Sequence, residues 1–164
     1  MGTRVIGIDL GERRIGVAVS DSRRVLASPH SVIKRSGAQS ADHRAIAALV
    51  SEFDADLVVV GLPLSLSGQL GPAARAAAAE ASVLEAQLEV PVVLHDERLT
   101  TVEADRLLRF ASDPALGNTE RGRLGPRQAR GSRSGAASRN RMGIDALAAT
   151  VLLQSWLDHK RAES

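Results

Sequence analysis

The chain contains no cysteine and no tyrosine, and its only aromatic residues are two phenylalanines and one tryptophan among 164 residues. Without cysteine the protein has neither disulfides nor thiolate metal sites, which fits a reducing compartment. So few aromatic residues argue against a base-stacking nucleic-acid surface, which depends on aromatic platforms. The sequence shows no signal-peptide pattern and no apolar run that approaches a membrane span. We therefore expect a soluble, cytoplasmic protein with no membrane partner and a core of Val, Leu, Ile and Ala.

Positive charge is concentrated in one segment, although the formal net charge of the chain is only +2. Residues 117–141 contain seven arginines, no lysine and one glutamate. The wider stretch at about 112–141 is rich in Arg and Gly and has no apolar periodicity, which predicts a flexible insertion. Such a segment is either a tolerated surface loop or an arm that contacts phosphates, and its charge favours phosphate contact.

Hydrophobic patterning predicts an α/β fold in a single domain over residues 1–164. Three short strands follow one another at the N-terminus, which is typical of an antiparallel meander. Later buried strands are separated by helical segments, and such crossovers make them parallel. The sequence therefore predicts one mixed five-stranded sheet, three antiparallel strands then two parallel, flanked by helices. The predicted strands are 3–9, 14–20, 24–33, 57–63 and 91–97, and the predicted helices are 40–53, 72–89, one from about 100, and 144–158.

Acidic side chains lie near the ends of three predicted elements. Asp9 ends the first buried strand, Glu97 follows the last strand, and Asp145 lies at the start of the most apolar helix. Carboxylates brought together from such positions are what a hard divalent cation such as Mg²⁺ requires. Asp96 is interpreted as structural, because adjacent residues on a strand point to opposite faces.

Each of these acids also has an ordinary structural interpretation. Asp9 can accept backbone hydrogen bonds in the turn at Gly11. Glu97 can pair with Arg98 or cap the following helix, and Asp145 can favour the positive N-terminus of its helix. Only the joint pattern favours a metal site.

Four segments resemble the motifs of the YqgF/RuvX family, in that family's order: "GIDLGERRIGVAVSD", "VVVGLPLSLSGQLGPAA", "DERLTTVEA" and "IDALAATVLLQSWLD". The family comprises RNase H-like proteins described as Holliday junction resolvases and as nucleases that mature the 5′ end of pre-16S rRNA. The resemblance implies an RNase H-like fold that agrees with the predicted element order. It also implies that Asp9, Glu97 and Asp145 are the catalytic acids and bind two Mg²⁺ or Mn²⁺ ions.

Five arginines are candidates for binding nucleic acid. Arg13 and Arg14 follow the first strand and can hold a phosphate beside the metals, although an exposed turn would leave them merely solvated. Arg98 adjoins Glu97 and can orient it or bind substrate. Arg139 and Arg141 match the basic residues that precede the family's last helix.

The resemblance implies a metal-dependent endonuclease that processes the 5′ end of pre-16S rRNA, with ribosomal particles as further partners. One alternative is a Holliday junction resolvase acting on branched DNA, for which a homodimer is expected because two cuts are placed symmetrically. A second alternative is a non-catalytic RNA- or ribosome-binding module. A third is a nucleotide-binding protein, because "GIDLG" also resembles the first phosphate loop of sugar kinases and Hsp70-type ATPases.

Overall fold

The N-terminal part of the chain forms an antiparallel meander in the computed structural model, which describes residues 3–99 and 133–164. Its strands are β1 (Arg4–Leu10), β2 (Arg14–Ser20) and β3 (Ala27–Lys34), joined by connections too short for a helical crossover. β3 is the edge strand, and Pro29 lies within it beside a register shift. An edge position tolerates proline because the missing N–H costs no ladder bond to a further strand.

Two helix-linked strands complete the sheet. They are β4 (Ala55–Leu62) and β5 (Val92–Asp96), preceded by α1 (Gln39–Glu52) and α2 (Pro72–Gln87) respectively. β4 pairs with β1 and with β5 in parallel, giving the order β3-β2-β1-β4-β5. The predicted mixed five-stranded sheet is therefore confirmed.

The last helix, α3 (Arg133–Ala162), begins about eleven residues before the predicted start and ends four residues after the predicted end. The prediction of an irregular segment is therefore wrong for residues 133–141. Arg and Ala are good helix formers, and extending an existing helix requires no new nucleation. The rest of the predicted insertion and the helix predicted from about 100 lie outside the described residues.

Two apolar layers cover the two faces of the sheet. Alternate residues of β1 point to opposite sides, so Ile6 and Ile8 pack with α1 and α2, whereas Val5 packs with α3. α3 approaches β1 very closely at Gly7, where an added Cβ would lie 2.7 Å from Cβ of Leu153. Within the described ranges, no helix has the length and hydrophobicity that a membrane crossing demands.

Candidate active site

Asp9 occupies the carboxyl end of β1 on the face that α3 covers. It is two residues beyond Gly7, so strand alternation places both on the same side of the sheet. Gly16 of β2 lies directly opposite Asp9 in the antiparallel ladder. The parallel ladder pairs Ile8 with Val60, so the β4 residue beside Asp9 is Gly61. Asp9 therefore has a glycine on each neighbouring strand.

Gly16 brings the backbone of α3 onto the sheet beside Asp9. A Cβ added at Gly16 would lie 2.1 Å from the carbonyl oxygen of Asp145. Only a residue without a side chain permits this approach. The helix therefore delivers Asp145 directly over the cross-strand neighbour of Asp9.

Gly61 makes room for the side chain of Glu97 in a similar way. Glu97 opens a short 3₁₀ helix, Glu97–Leu99, immediately after β5. A Cβ added at Gly61 would lie 2.5 Å from Oε1 of Glu97, so this carboxylate lies across β4 towards β1. All three acids proposed from the sequence are consequently brought to one end of one sheet face.

The acids influence one another electrostatically. Burial, and secondarily the charge of Asp145, raise the pKa of the Asp9 carboxyl. Burial, and then the charges of Asp9 and Asp96, raise the pKa of Glu97. A carboxyl group whose folded pKa is raised destabilises the fold once the pH exceeds that pKa, because ionisation is easier in the unfolded chain. Ionised Asp9 and Glu97 are therefore a cost to the fold near neutral pH.

The donor set fits a divalent cation in its chemistry, although the side chains do not form a ready-made cage. Asp9 repels both Asp145 and Glu97, and a cation among them would relieve that repulsion. Within residues 3–99 and 133–164, however, no three His, Cys, Asp or Glu side chains lie close enough together to hold a metal. Asp145 instead pairs with Arg14, whose guanidinium lies 3.4 Å from its Oδ2.

The other predicted arginines take different positions. Arg98 is exposed and is paired with Asp96, with 2.6 Å between its terminal nitrogen and Oδ2. Asp96 also accepts the backbone N–H of Arg98 at 2.9 Å, which supports its structural interpretation. Arg13 is exposed on the turn between β1 and β2. Arg139 and Arg141 belong to the first turns of α3, and their side chains lie outside the described part of the structure.

Two glycines in the predicted strands 14–20 and 57–63 assemble the site. The family resemblance implied that Gly61 shapes the loop beside the site, whereas no role was predicted for Gly16; each admits a functional group that a Cβ would displace. An isolated glycine inside a strand signals a close approach of backbone or ligand, and that signal was available at Gly16. The pairing of Arg14 with Asp145, 131 residues apart, had no local signal.

Comparisons with known proteins find relatives of this chain. The sequence model of the family described as "RuvX: Holliday junction resolvase" matches residues 3–120. A Mycobacterium sp. (strain KMS) protein named "Putative pre-16S rRNA nuclease" is 42% identical over 97% of this chain and 82% of its own. A Desulforudis audaxviator protein of the same name is 36% identical over 97% of this chain and 96% of its own.

A solved structure shares the fold. Thermus thermophilus RuvC in complex with a Holliday junction substrate superposes with a TM-score of 0.54 and 16% identity, covering 97% of this chain and 96% of that one. At this identity the likeness supports the fold assignment alone.

Proposed function

The chain belongs to the RuvX family, and from that premise we propose that it is a nuclease that cleaves phosphodiester bonds in structured nucleic acid. Its proposed substrate is precursor 16S rRNA, processed at the 5′ end, and ribosomal particles are proposed partners. The relatives' names support the substrate, and the geometry at the carboxyl end of the sheet supports the chemistry.

The observation that carries the proposal is that three carboxylates from distant parts of the chain lie at one end of one sheet face. Asp9 comes from β1, Glu97 from the end of β5 and Asp145 from α3, and glycines clear the space for the last two. Burying mutually repelling carboxylates lowers stability, so such an arrangement is a mark of a functional site.

Asp9, Glu97 and Asp145 would hold Mg²⁺ or Mn²⁺, and two ions are proposed. A bound divalent cation supplies Lewis-acid polarisation of the phosphoryl oxygen and lowers the pKa of water. The carboxylates contribute oxygen ligands and orientation, and side-chain rotations would complete the cage. Arg14 lies 3.4 Å from Asp145 and offsets its charge, and Asp145 would have to leave this partner in order to hold a cation.

The arginines around the site would bind the substrate's phosphates. Arg13 lies on the turn that borders the acids and Arg14 is the first residue of β2. An Arg14 side chain no longer paired with Asp145 would pair with a phosphate oxygen. Arg98 is held at the rim by Asp96, one residue from Glu97. Arg139 and Arg141 are proposed as further phosphate contacts from the start of α3.

Cleavage of precursor rRNA by purified protein tests the assignment. Asp9→Asn should fold like the wild type and lose Mg²⁺-dependent cleavage, whereas Glu52→Gln, an exposed acid on α1, should cleave normally. Full cleavage by Asp9→Asn would refute the site. In cells, depletion should accumulate unprocessed 16S precursor, and the wild type but not Asp145→Asn should restore processing.

The family's description favours one second candidate, resolution of four-way DNA junctions. A resolvase cuts two strands symmetrically and should act as a dimer. Parallel assays on a synthetic junction and on precursor rRNA, with the molar mass measured by light scattering, separate the two functions. If the protein only binds RNA and does not cleave it, the Asp145→Asn variant should restore processing as well as the wild type does.

A further inference from the structure

A cationic groove lies at the end of the molecule opposite the acids. It is formed by the turn between β2 and β3 together with the last turns of α3, and it encloses about 370 Å³. Asp145 and Arg161 are separated by sixteen residues of α3, which is about 24 Å along the axis. We call this feature the Trp156 groove; its principal residues are Arg23, Arg24, Trp156, Leu157, Lys160 and Arg161.

The turn that forms one wall of the Trp156 groove is held in place by several hydrogen bonds. Asp21 accepts the backbone N–H groups of Val25 and Leu26 at 2.7 and 3.0 Å. Gln154 of α3 accepts the N–H of Ala27 at 2.8 Å and donates to the carbonyl of Val25 at 3.0 Å. The two walls are therefore fixed relative to each other, which lowers the entropy cost of binding.

Charge in the groove is only partly compensated. Arg24 pairs with Asp56, and Lys160 pairs with Glu163 at 2.7 Å. The side chains of Arg23 and Arg161 are exposed and form no hydrogen bond or ion pair within the described part of the chain, although Asp21 lies near enough to Arg23 to interact with its charge. Two guanidinium groups thus face solvent from opposite walls.

The helix dipole explains some of this charge and leaves the rest unexplained. Cations in the last turn of a helix stabilise it, which accounts for Lys160 and Arg161. It does not account for Arg23 on a different element, nor for the only tryptophan of the chain beside these cations. Trp156 packs partly against the core and is half-buried, so part of its surface remains open to the groove.

We propose that the Trp156 groove is a second nucleic-acid contact, which binds phosphates of a single-stranded segment through Arg23 and Arg161 and stacks a base on Trp156. Arginine clusters bind phosphates, and a tryptophan platform stacks any base. A single stacked base at Trp156 departs from the expectation, drawn from the aromatic content, that the protein has no base-stacking surface. The nature of the partner rests on the proposed function. The contact would anchor a strand about 24 Å from the acids and favour substrates long enough to reach both ends.

Intrinsic fluorescence tests the proposal directly, because the chain has one tryptophan and no tyrosine. A twelve-nucleotide oligouridylate, titrated in EDTA at low salt, should quench Trp156 emission saturably. Arg23→Gln and Arg161→Gln should each weaken binding roughly tenfold. Each should also reduce the slope of log affinity against log salt by about 0.7. Arg44→Gln removes an exposed charge from α1, on the other sheet face, and should change neither quantity.

Any of three results would overturn the proposal. Fluorescence anisotropy could show that oligouridylate binds without quenching Trp156, or Arg44→Gln could weaken binding as much as Arg23→Gln and Arg161→Gln do. Polyglutamate of the same charge could also bind and quench as well as oligouridylate. The last would indicate an acidic peptide as the partner. Because the titration contains no divalent cation, it is independent of cleavage. Quenching without nuclease activity would refute the proposed function alone, and cleavage without quenching would refute this inference alone.

Discussion

Replacing Gly16 by alanine should damage both the stability and the site, because α3 touches the sheet at this point. The added Cβ would lie 2.1 Å from the carbonyl oxygen of Asp145 and 2.7 Å from its carbonyl carbon. Both atoms belong to helix backbone, so no side-chain rotation relieves the clash. α3 must move away from β2, and Asp145 must move away from Asp9 with it.

The expected loss follows from that geometry. The contact is about 1 Å too short for a carbon and an oxygen. If α3 moves away by that distance, its other contacts with the sheet lose up to about half of their dispersion energy. Overpacking costs about 1–3 kcal/mol. Because backbone meets backbone, we expect the upper end, about 3 kcal/mol of a typical 5–15 kcal/mol. For a chain of this size, that lowers Tm by about 6–12 °C.

Thermal and urea unfolding, followed by circular dichroism, measure this loss. Gly143→Ala is the matched control, since it makes the same substitution in α3 where an added Cβ meets nothing within 4 Å among described residues. Helix propensity predicts that this control gains about 0.5–1 kcal/mol. A Gly16→Ala variant within about 1 kcal/mol of wild type, or a Gly143→Ala variant equally destabilised, would refute the reasoning.

Three further predictions concern side chains. Asp9→Asn should raise the free energy of unfolding at pH 7 in EDTA, and this free energy should decline less between pH 4 and 7 than in the wild type. The substitution removes an ionisation that the fold disfavours. A variant less stable than the wild type at pH 7 would contradict this. Gly61→Ala should lower cleavage up to about 100-fold at nearly unchanged Tm, because the new Cβ displaces the flexible end of Glu97; unchanged cleavage would contradict it. Arg35→Gln should lower the free energy of unfolding by urea at pH 7 by about 2 kcal/mol, since Arg35 donates two hydrogen bonds to Glu80, at 2.6 and 2.9 Å. Burial opposes the ionisation of Glu80, but these bonds outweigh it and lower its pKa, so the difference from wild type should shrink as the pH falls through that pKa.

The sheet was predictable because its signals are local. Short connections force β1, β2 and β3 to be antiparallel, and helical crossovers force β4 and β5 to be parallel. The same rules bring the carboxyl ends of β1 and β5 to one edge, so the neighbourhood of Asp9 and Glu97 followed from topology. Their assignment as catalytic acids came from the resemblance to a family and stays a prediction.

Contacts between distant elements were not predictable from the same signals. The partner of Arg14 depends on where α3 crosses β2, and that crossing is set by the absence of a side chain at Gly16. The start of α3 was also missed, because residues 133–141 lack the apolar periodicity that marks a packed helix. Their helical backbone follows from propensity and from attachment to a helix that is already packed.

The contrast between the acids of this chain supports the choice of site on physical grounds. Six described carboxyl groups have lowered pKa values, and each accepts hydrogen bonds or lies beside a cation; they are Asp21, Asp42, Asp56, Glu80, Asp96 and Glu163. Asp9 and Glu97 are the described acids whose pKa values are raised, in each case by burial first and then by the charge of neighbouring carboxylates, Asp145 for Asp9 and both Asp9 and Asp96 for Glu97. Acids that serve the fold alone are expected to be stabilised as anions, as those six are. The fold places Asp9 and Glu97 where their ionisation is disfavoured, and Gly61 makes room for Glu97 there. This arrangement lowers the stability of the protein without a compensating structural gain. A cation bound there, as proposed, would remove that cost, which supports the carboxyl end of β1 as the proposed site of chemistry.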